Sequence, residues 1–351
     1  MIEVASPLRR VCIVMMSAVG DAVHVLPVIN AIKRRSPHTH ITWVLQPGPA
    51  SLVRGHRSVD DIVIFDRAKG WSAFAEIRQT LAERAFDLVV NLQVYFKAGI
   101  VTKFTQAPVK LGFDRARARD FNWLFTTHRI PPHPVQHVQD QYFEFLTALG
   151  VPHEPVTWDL GPWPHEREWQ ASFTTPFDRP LASIVVATSK EQKDWMPERW
   201  AEVVDALWFD FGLQPVLVGG QSPREMRAEQ IIMARARQKP HSALGSGLRN
   251  LVGILDASSL VLAPDTGPLH MAVALDRPVV SLIGYTNPKR TGPYRKFHDL
   301  IVDAYGEPGE NYPISMENRL NRMPRISVRD VLDRVERWRA RYQSLVTAPK
   351  A

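Results

Sequence analysis

The sequence predicts an α/β protein of two domains, each a parallel sheet covered by helices. Three observations carry this. Short apolar runs alternate with segments whose apolar residues recur every three or four positions, and the alternation runs through both halves of the chain. Strands hand over to helices through turns built from Gly, Pro, Ser and Asp. The 351 residues, 45% of them hydrophobic, suffice for two cores.

The first series opens with a strand over 11–16, a turn over 17–21 and a helix over 22–35 whose apolar side carries Val25, Leu26, Ile29 and Ile32. The apolar run after Arg9 and Arg10 is too short for a signal peptide and is read as that first strand. Further strands are expected over 40–45, 62–65 and 87–92, with a helix over 71–85. Functional groups of such sheets gather beyond the carboxyl ends of the strands, which singles out Ser17, Gly20, Asp21 and His24. Two roles suit Asp21: capping the following helix, or accepting a proton as a general base. His24, three residues further on the same helix face, either orients a substrate or is a buried histidine.

Between positions 97 and 129 stand Lys97, Lys103, Lys110, Arg115, Arg117, Arg119 and Arg129 against Asp114 and Asp120, within a chain of net charge +7. Such a run is either a solvated basic face or a landing surface for anionic ligands such as phosphorylated lipid. The chain offers no zinc-finger spacing, no RNP-like aromatic motif and no helix-turn-helix, so nucleic acid is not an expected partner. A helix over 137–150, apolar at Tyr142, Phe143, Leu146 and Leu149 and stopped by Gly150, closes the first domain, 1–160. Residues 151–180 are rich in Pro and Trp without sustained period, and 161–180 is expected to be a linker.

The second domain, 181–325, begins with a strand over 181–187 and a polar loop bearing Thr188, Ser189 and Lys193. A helix to about 211, a strand over 214–218, the Gly219-Gly220 turn and a helix over 248–258 follow. The next strand, over 259–263, runs into Pro264, Asp265, Thr266, Gly267 and Pro268, then a short helix and another strand. Pro268 suits a first helical turn, and the N–H groups of Thr266, Gly267 and Leu269 are expected to be unpaired at the positive helix end, where a phosphate can bind. The alternative is that Asp265 and Thr266 cap that helix. A closing helix over 326–351 starts at Ser327 and carries an apolar stripe of Val328, Val331, Leu332, Val335 and Trp338.

One cysteine, Cys12, excludes an intramolecular disulfide framework and fits a reducing compartment. No apolar run is long enough to span a bilayer as a helix. There is no Asp-x-Asp motif and no His/Cys cluster, so no metal is expected; phosphate charge falls to backbone N–H groups and Lys193.

The stretch Asp265-Thr-Gly-Pro-Leu-His270, with Gly284-Tyr-Thr-Asn-Pro-Lys-Arg-Thr-Gly-Pro-Tyr294, resembles the donor-site signature of the family 9 glycosyltransferases, the lipopolysaccharide heptosyltransferases. Ser17 to Pro27 matches that family's Ser-x-x-Gly-Asp-x-x-His-x-x-Pro, and positions 137–142 resemble its His-x-x-Asp-x-Tyr helix. The resemblance implies a GT-B fold, two Rossmann-like domains with parallel sheets facing a cleft. The first would bind the acceptor and the second the nucleotide sugar, and the last helix would cross back to the first domain. It further implies inverting, cofactor-free and metal-independent transfer of heptose from ADP-heptose to the inner core of lipopolysaccharide, on a Kdo-lipid A type acceptor. Asp21 is then the base. Thr188, Ser189, Lys193, Asp265, Thr266, Gly267, Pro268 and His270 belong to the donor side, with Glu225 at the position that holds the nucleotide ribose. Ser17, Gly20, His24 and Lys97 belong to the acceptor side. Met196 departs from the family's Lys-x-Trp-Pro, and Arg224 leaves the register of Glu225 open. The implied location is cytoplasmic, peripheral on the inner face of the cell membrane. Other readings of the same architecture are transfer from a different nucleotide sugar, a nucleotide-sugar epimerase, or a binding protein.

Overall fold

A computed structural model describes residues 2–4 and 7–344. The chain divides into two compact units, Met1–Pro134 with Val138–Asp159, and Val135–His137 with Leu160–Ala351.

The first unit holds strands β1 (Arg10–Val14), β2 (His40–Leu45), β3 (Asp61–Ile64), β4 (Leu88–Asn91), β5 (Val109–Gly112) and β6 (His128–Arg129). Its helices are α1 (Val19–Arg35), α2 (Pro47–Val53), α3 (Trp71–Ala82), α4 (Phe96–Phe104) and α5 (Val138–Ala148). The sheet is parallel in the order β3-β2-β1-β4-β5-β6. Central β1 pairs with β2 from Arg10↔His40 to Val14↔Val44 and with β4 from Val11↔Leu88 to Val14↔Asn91. It is covered on both faces, and Val11, Cys12, Ile13 and Val14 are fully buried. On one face Cys12, Val14, Val44, Val63 and Val89 pack against Ala73, Ile77 and Leu81 of α3 and Ala98 and Val101 of α4. α1 and α5 pack together, with Val25, Leu26, Ile29, Phe145 and Leu146 buried.

The basic stretch is folded rather than open: it holds α4, β5 and β6. Those strands are four and two residues long, too short to register as periodic runs.

The second unit holds α6 (Arg167–Thr174), β7 (Leu181–Val185), α7 (Pro197–Phe209), β8 (Gln214–Val218), α8 (Pro223–Arg235), β9 (His241–Ser242), α9 (Leu248–Ala257) and β10 (Ser258–Pro264). It continues with α10 (Gly267–Ala274), β11 (Val279–Ile283), α11 (Pro288–Thr291), β12 (Ile301–Asp303) and α12 (Val328–Arg341). Its parallel sheet runs β12-β11-β10-β7-β8-β9, so both sheets share one topology: three strands step outward one way, the next three the other way. The order reverses between β1 and β4 in the first unit and between β7 and β10 in the second.

Residues 161–180 are not a plain linker. They contain α6, which packs on α9: Gln170 donates to Gly253 O at 2.8 Å, and Arg167 pairs with Asp256 at 2.6 Å. Trp169, Phe173 and Phe177 are spaced four apart: Trp169 stacks on Phe173 at 5.3 Å between ring centroids, and Phe173 meets Phe177, just beyond α6, edge to face at 5.7 Å. Aromatic spacing on a polar background, rather than an aliphatic stripe, holds this helix. α12 lies on the second unit, where Trp338 Nε1 donates to Ser259 O at 3.0 Å and Arg334 to Ile301 O at 2.9 Å. The end of the expected closing segment, 345–351, lies outside the described residues.

Candidate active site

In an open α/β sheet the crevice beyond the strand ends is deepest where the strand order reverses. Both groups of candidate residues follow the strands that flank these two points.

In the first unit β1 leads through Met15, Met16 and Ser17 into α1, which begins at Val19, so Asp21 is the third helical residue rather than part of the turn. Its Oδ2 accepts the N–H of Ala18 at 2.9 Å, half of a capping box that the Ala18 side chain cannot reciprocate. Its Oδ1 accepts the hydroxyl of Tyr142, from α5, at 3.1 Å. Gln93, just beyond β4, brackets the same turn: its carboxamide accepts from Met16 N at 3.0 Å and donates to Ser17 O at 2.9 Å. Gly20 is the second residue of α1, and Pro27 lies within it. His24 is buried one turn on, its Nδ1 3.0 Å from Gln139 Oε1, while Gln139 Nε2 donates to His24 O at 2.9 Å. Lys97 stands exposed in the first turn of α4.

In the second unit Asp265 is the hub. It follows β10, and its buried carboxylate accepts from Lys193 Nζ at 2.7 Å, from the hydroxyl of Thr286, and from Thr291 Oγ1 at 3.3 Å. His270 Nε2 lies 3.7 Å from its other oxygen. Burial alone drives this carboxyl upward, but the charges of Lys193 and His270 and the hydrogen bonds from Lys193 and Thr286 outweigh it and hold Asp265 below the ordinary carboxylate range. Lys193 also donates to Asp265 O at 3.2 Å. It is delivered by the segment after β7, the neighbour of β10, whereas Thr286 comes from the segment after β11 on the other side.

The α10 terminus departs from expectation in one respect. Leu269 N–H is not open, because it donates to Thr266 O at 3.1 Å. Pro268 at the second helical position tightens this first turn. Thr266, the N-cap, makes no side-chain capping bond, and the N–H groups of Thr266 and Gly267 meet no acceptor among the described residues. Capping therefore does not account for Asp265 and Thr266, and the positive helix end stays open.

Thr188 is buried and engaged locally: its N–H donates to Asp194 Oδ1 at 2.7 Å and its hydroxyl to Lys190 O at 2.7 Å. Ser189 beside it is exposed. Glu225 closes a capping box with Ser222 and accepts from Gly220 N at 2.6 Å and Ser222 N at 2.9 Å. Arg224 turns to Asp194 at 2.5 Å and to Thr188 O at 2.8 Å, tying the turn after β8 to the loop after β7. Burial is the main influence on Asp194 and raises its carboxyl even beside Arg224. Among the described residues no group of three or more His, Cys, Asp or Glu side chains is arranged to hold a metal ion.

The site residues named from sequence left out Tyr142, Gln93, Thr286 and Thr291. Tyr142 reads as an apolar helix position, although it closes the His-x-x-Asp-x-Tyr match, and both threonines fall within the 284–294 stretch. Gln93 and Thr286 stand just beyond strand ends, and that placement is the signal by which they were findable.

Two parallel α/β units with polar turns at each reversal of strand order are the architecture of the GT-B fold. Comparison with known proteins agrees. The profile of Glycosyltransferase family 9 (heptosyltransferase) matches residues 74–313. The chain is 30% identical over 300 residues to the lipopolysaccharide core heptosyltransferase OpsX of Haemophilus influenzae, covering 85% of each protein. It is 29% identical over 301 residues to lipopolysaccharide heptosyltransferase 1 of Escherichia coli K12, covering 82% of this chain and 91% of that one. The solved structure of the E. coli heptosyltransferase WaaC with ADP superposes with a TM-score of 0.73 at 23% identity, over 95% of this chain and 99% of that one. A UDP-GlcNAc 2-epimerase from Methanocaldococcus jannaschii, with a TM-score of 0.52 at 11% identity over 93% and 92% of the chains, shares the fold alone. The chain belongs to glycosyltransferase family 9, the heptosyltransferase family, and is a transferase.

Proposed function

We propose that the protein transfers heptose from ADP-heptose to the inner core of lipopolysaccharide, onto a lipid A acceptor carrying Kdo sugars. The observation that carries this is the pairing of Lys193 with buried Asp265 beside the open terminus of α10. That arrangement suits a diphosphate: backbone N–H groups and one ammonium, held in place by a carboxylate, face the charge that develops as the nucleotide departs. The relatives support the sugar and the acceptor, being named lipopolysaccharide heptosyltransferases, and WaaC has been solved with ADP and with ADP-2-deoxy-2-fluoro heptose.

In the proposed reaction an acceptor hydroxyl attacks the anomeric carbon. The bond from that carbon to the β-phosphate oxygen breaks with its electron pair going to ADP, and Asp21 Oδ1 receives the hydroxyl proton. One displacement inverts the configuration. Lys193 and the Thr266 and Gly267 N–H groups stabilise the departing diphosphate, so neither a divalent cation nor a cofactor is required. Glu225 and Thr188, already bonded to their own loops, shape the donor turn, with Ser189, Pro268 and His270 alongside. Ser17, Gly20, His24 and Lys97 lie on the acceptor side. On this reading the protein works at the cytoplasmic face of the membrane, drawn there by the charges between 97 and 129 other than Arg117, which Asp114 and Glu144 neutralise; no helix among the described residues is long and apolar enough to cross it.

The test is product formation in excess chelator, with ADP-heptose and Kdo-bearing lipid A, followed by mass spectrometry. One added heptosyl residue and one ADP per turnover are expected. Turnover without acceptor would mark an epimerase, binding without turnover a binding protein, and preference for another nucleotide sugar would replace the donor.

A further inference from the structure

Among the described residues of the first unit, the large hydrophobic side chains left exposed are Ile64, Trp71, Tyr95, Phe96, Phe121 and Leu124. All share one address. Ile64 ends β3, Trp71 begins α3 and Phe96 begins α4 just after Tyr95, all at or beyond the carboxyl end of a strand, while Phe121 and Leu124 flank Asn122, which bonds Asn91 at the end of β4 and Tyr95 O beyond it. Helices and strands elsewhere in the unit bury their apolar residues, which makes this concentration at one edge a feature of the surface rather than scatter. Trp71 is 85% exposed, Phe121 66% and Leu124 58%.

Each connection couples its apolar group to exposed cations. Arg67 precedes Trp71, Lys97 follows Tyr95 and Phe96, and Arg115 and Arg119 precede Phe121 and Leu124. Against them stand exposed Asp120, and Asp66, which is occupied in capping Ala68 N at 3.0 Å. Lys69 is paired with Glu76 and does not count toward the excess. The segment after β5 is anchored from below: Asn122, fully buried, donates to Tyr95 O at 2.7 Å, and Arg119 N donates to Val94 O at 2.8 Å. Arg115 also stacks on Trp123, 4.5 Å from the ring centroid. Phe121 and Leu124 thus stand on a segment anchored to the turn after β4.

We propose that this carboxyl edge is a membrane-docking face, in which Trp71, Phe121 and Leu124 enter the interfacial layer of an anionic bilayer while Arg67, Lys97, Arg115 and Arg119 engage lipid phosphates. Aromatic rings amid cations match the water-to-hydrocarbon boundary, where rings partition and cations meet headgroups. A basic face by itself is held only electrostatically and releases in salt; inserted side chains add attraction that salt does not screen. The edge is also the one beyond which Asp21 lies, so docking would bring the lipid-linked acceptor proposed above to the base. That purpose rests on the proposed acceptor; the docking itself is read without any turnover.

The experiment is flotation of the full chain with vesicles of phosphatidylglycerol and phosphatidylethanolamine, and with phosphatidylcholine alone, in low salt and in about 0.5 M salt, where the screening length is only a few ångström. Binding to the anionic vesicles is expected to weaken in salt yet persist. The triple variant Trp71→Ser, Phe121→Ser, Leu124→Ser should lose the salt-resistant part, about tenfold or more in apparent affinity. Its turnover on a deacylated, water-soluble acceptor should be unchanged. Independently of any variant's folding, vesicles of brominated lipid should quench the wild-type tryptophan emission, and Trp71→Phe should lose that quenching. Binding abolished entirely by salt, a triple variant that floats like the wild type, or absence of quenching overturns the proposal. So does lipid-free self-association that the triple variant removes, which would assign the edge to a second copy of the chain. Loss of docking with transfer intact, or transfer lost with docking intact, separates its failure from that of the proposed reaction.

Discussion

The hydroxyl of Tyr142 donates to Asp21 Oδ1 at 3.1 Å while the other oxygen of the same carboxylate accepts Ala18 N–H at 2.9 Å. The two roles that the sequence leaves open for Asp21 are therefore not exclusive. One oxygen caps α1, and the other is held by a side chain from α5, 121 positions away.

Replacing Asp21 by Asn separates these roles. The amide oxygen can keep the Ala18 N–H, and the charge lost from the first turn of α1 is worth only about 0.3–1 kcal/mol, so the melting temperature should fall slightly. Transfer should fall about a hundredfold to ten-thousandfold, the range for loss of a general base. Steady-state rates beside a melting curve check this. A folded variant with near-native turnover removes Asp21 as base.

Tyr142→Phe deletes the donor and keeps the buried ring. If the hydroxyl orients the carboxylate, kcat should fall about fivefold to thirtyfold, in keeping with a hydrogen bond to a charged group worth about 1–2 kcal/mol. KM for the donor should hold, and the pH profile of kcat should shift. A change in melting temperature alone would make Tyr142 a packing residue.

Lys193→Met tests the second unit. It leaves Asp265 buried with its main counter-charge gone, at a cost of about 3 kcal/mol near neutral pH. The sign with pH follows from the depressed Asp265 carboxyl. Its contribution is full above the unfolded carboxylate value of about 4 and is lost as pH falls through the lower folded value. Urea titrations from neutral pH downward should show the gap between wild type and variant narrowing in acid. A gap independent of pH would remove Asp265 as the partner that matters.

Cys12 gives a probe without mutation. Burial in the middle of β1 pushes its thiol up to about 12, with Arg84 opposing only weakly. Thiolate is scarce and shielded, so a thiol reagent should label no site in the native protein and one in denaturant. Native labelling at a rate set by unfolding would report the opening of the strand that carries the Asp21 turn.

Much of this architecture was legible because parallel strands buried on both faces are continuous apolar runs. β1, β2, β7, β8 and β10 were all readable in that way, and the turns after β1, β7 and β10 advertised themselves through Gly, Pro and Asp. What escaped has a common physical cause. β5, β6, β9 and β12 are too short to show a period, and α6 is held by stacked rings instead of an aliphatic stripe. Thr286 and Gln93 act through partners that strand order brings near, and strand order is not written in local pattern. Lys193 and Asp265 were each singled out as donor-side residues, yet nothing in the chain between them indicates that they join. The Leu269 N–H was misjudged for a similar reason, since the tightness of a first helical turn is a matter of backbone angles.

The shared strand order has a consequence for biosynthesis. β7 pairs on one side with β8, which follows closely, but on the other with β10, from Ser258↔Leu181 onward. While a ribosome works through the intervening segment at about 5–20 residues per second, one flank of a strand that is apolar but for Ser183 has no partner for roughly four to fifteen seconds. Until β10 emerges that flank is open to any other strand, and β1 waits in the same way for β4, so each half of the molecule passes through synthesis with a central strand unpaired on one side.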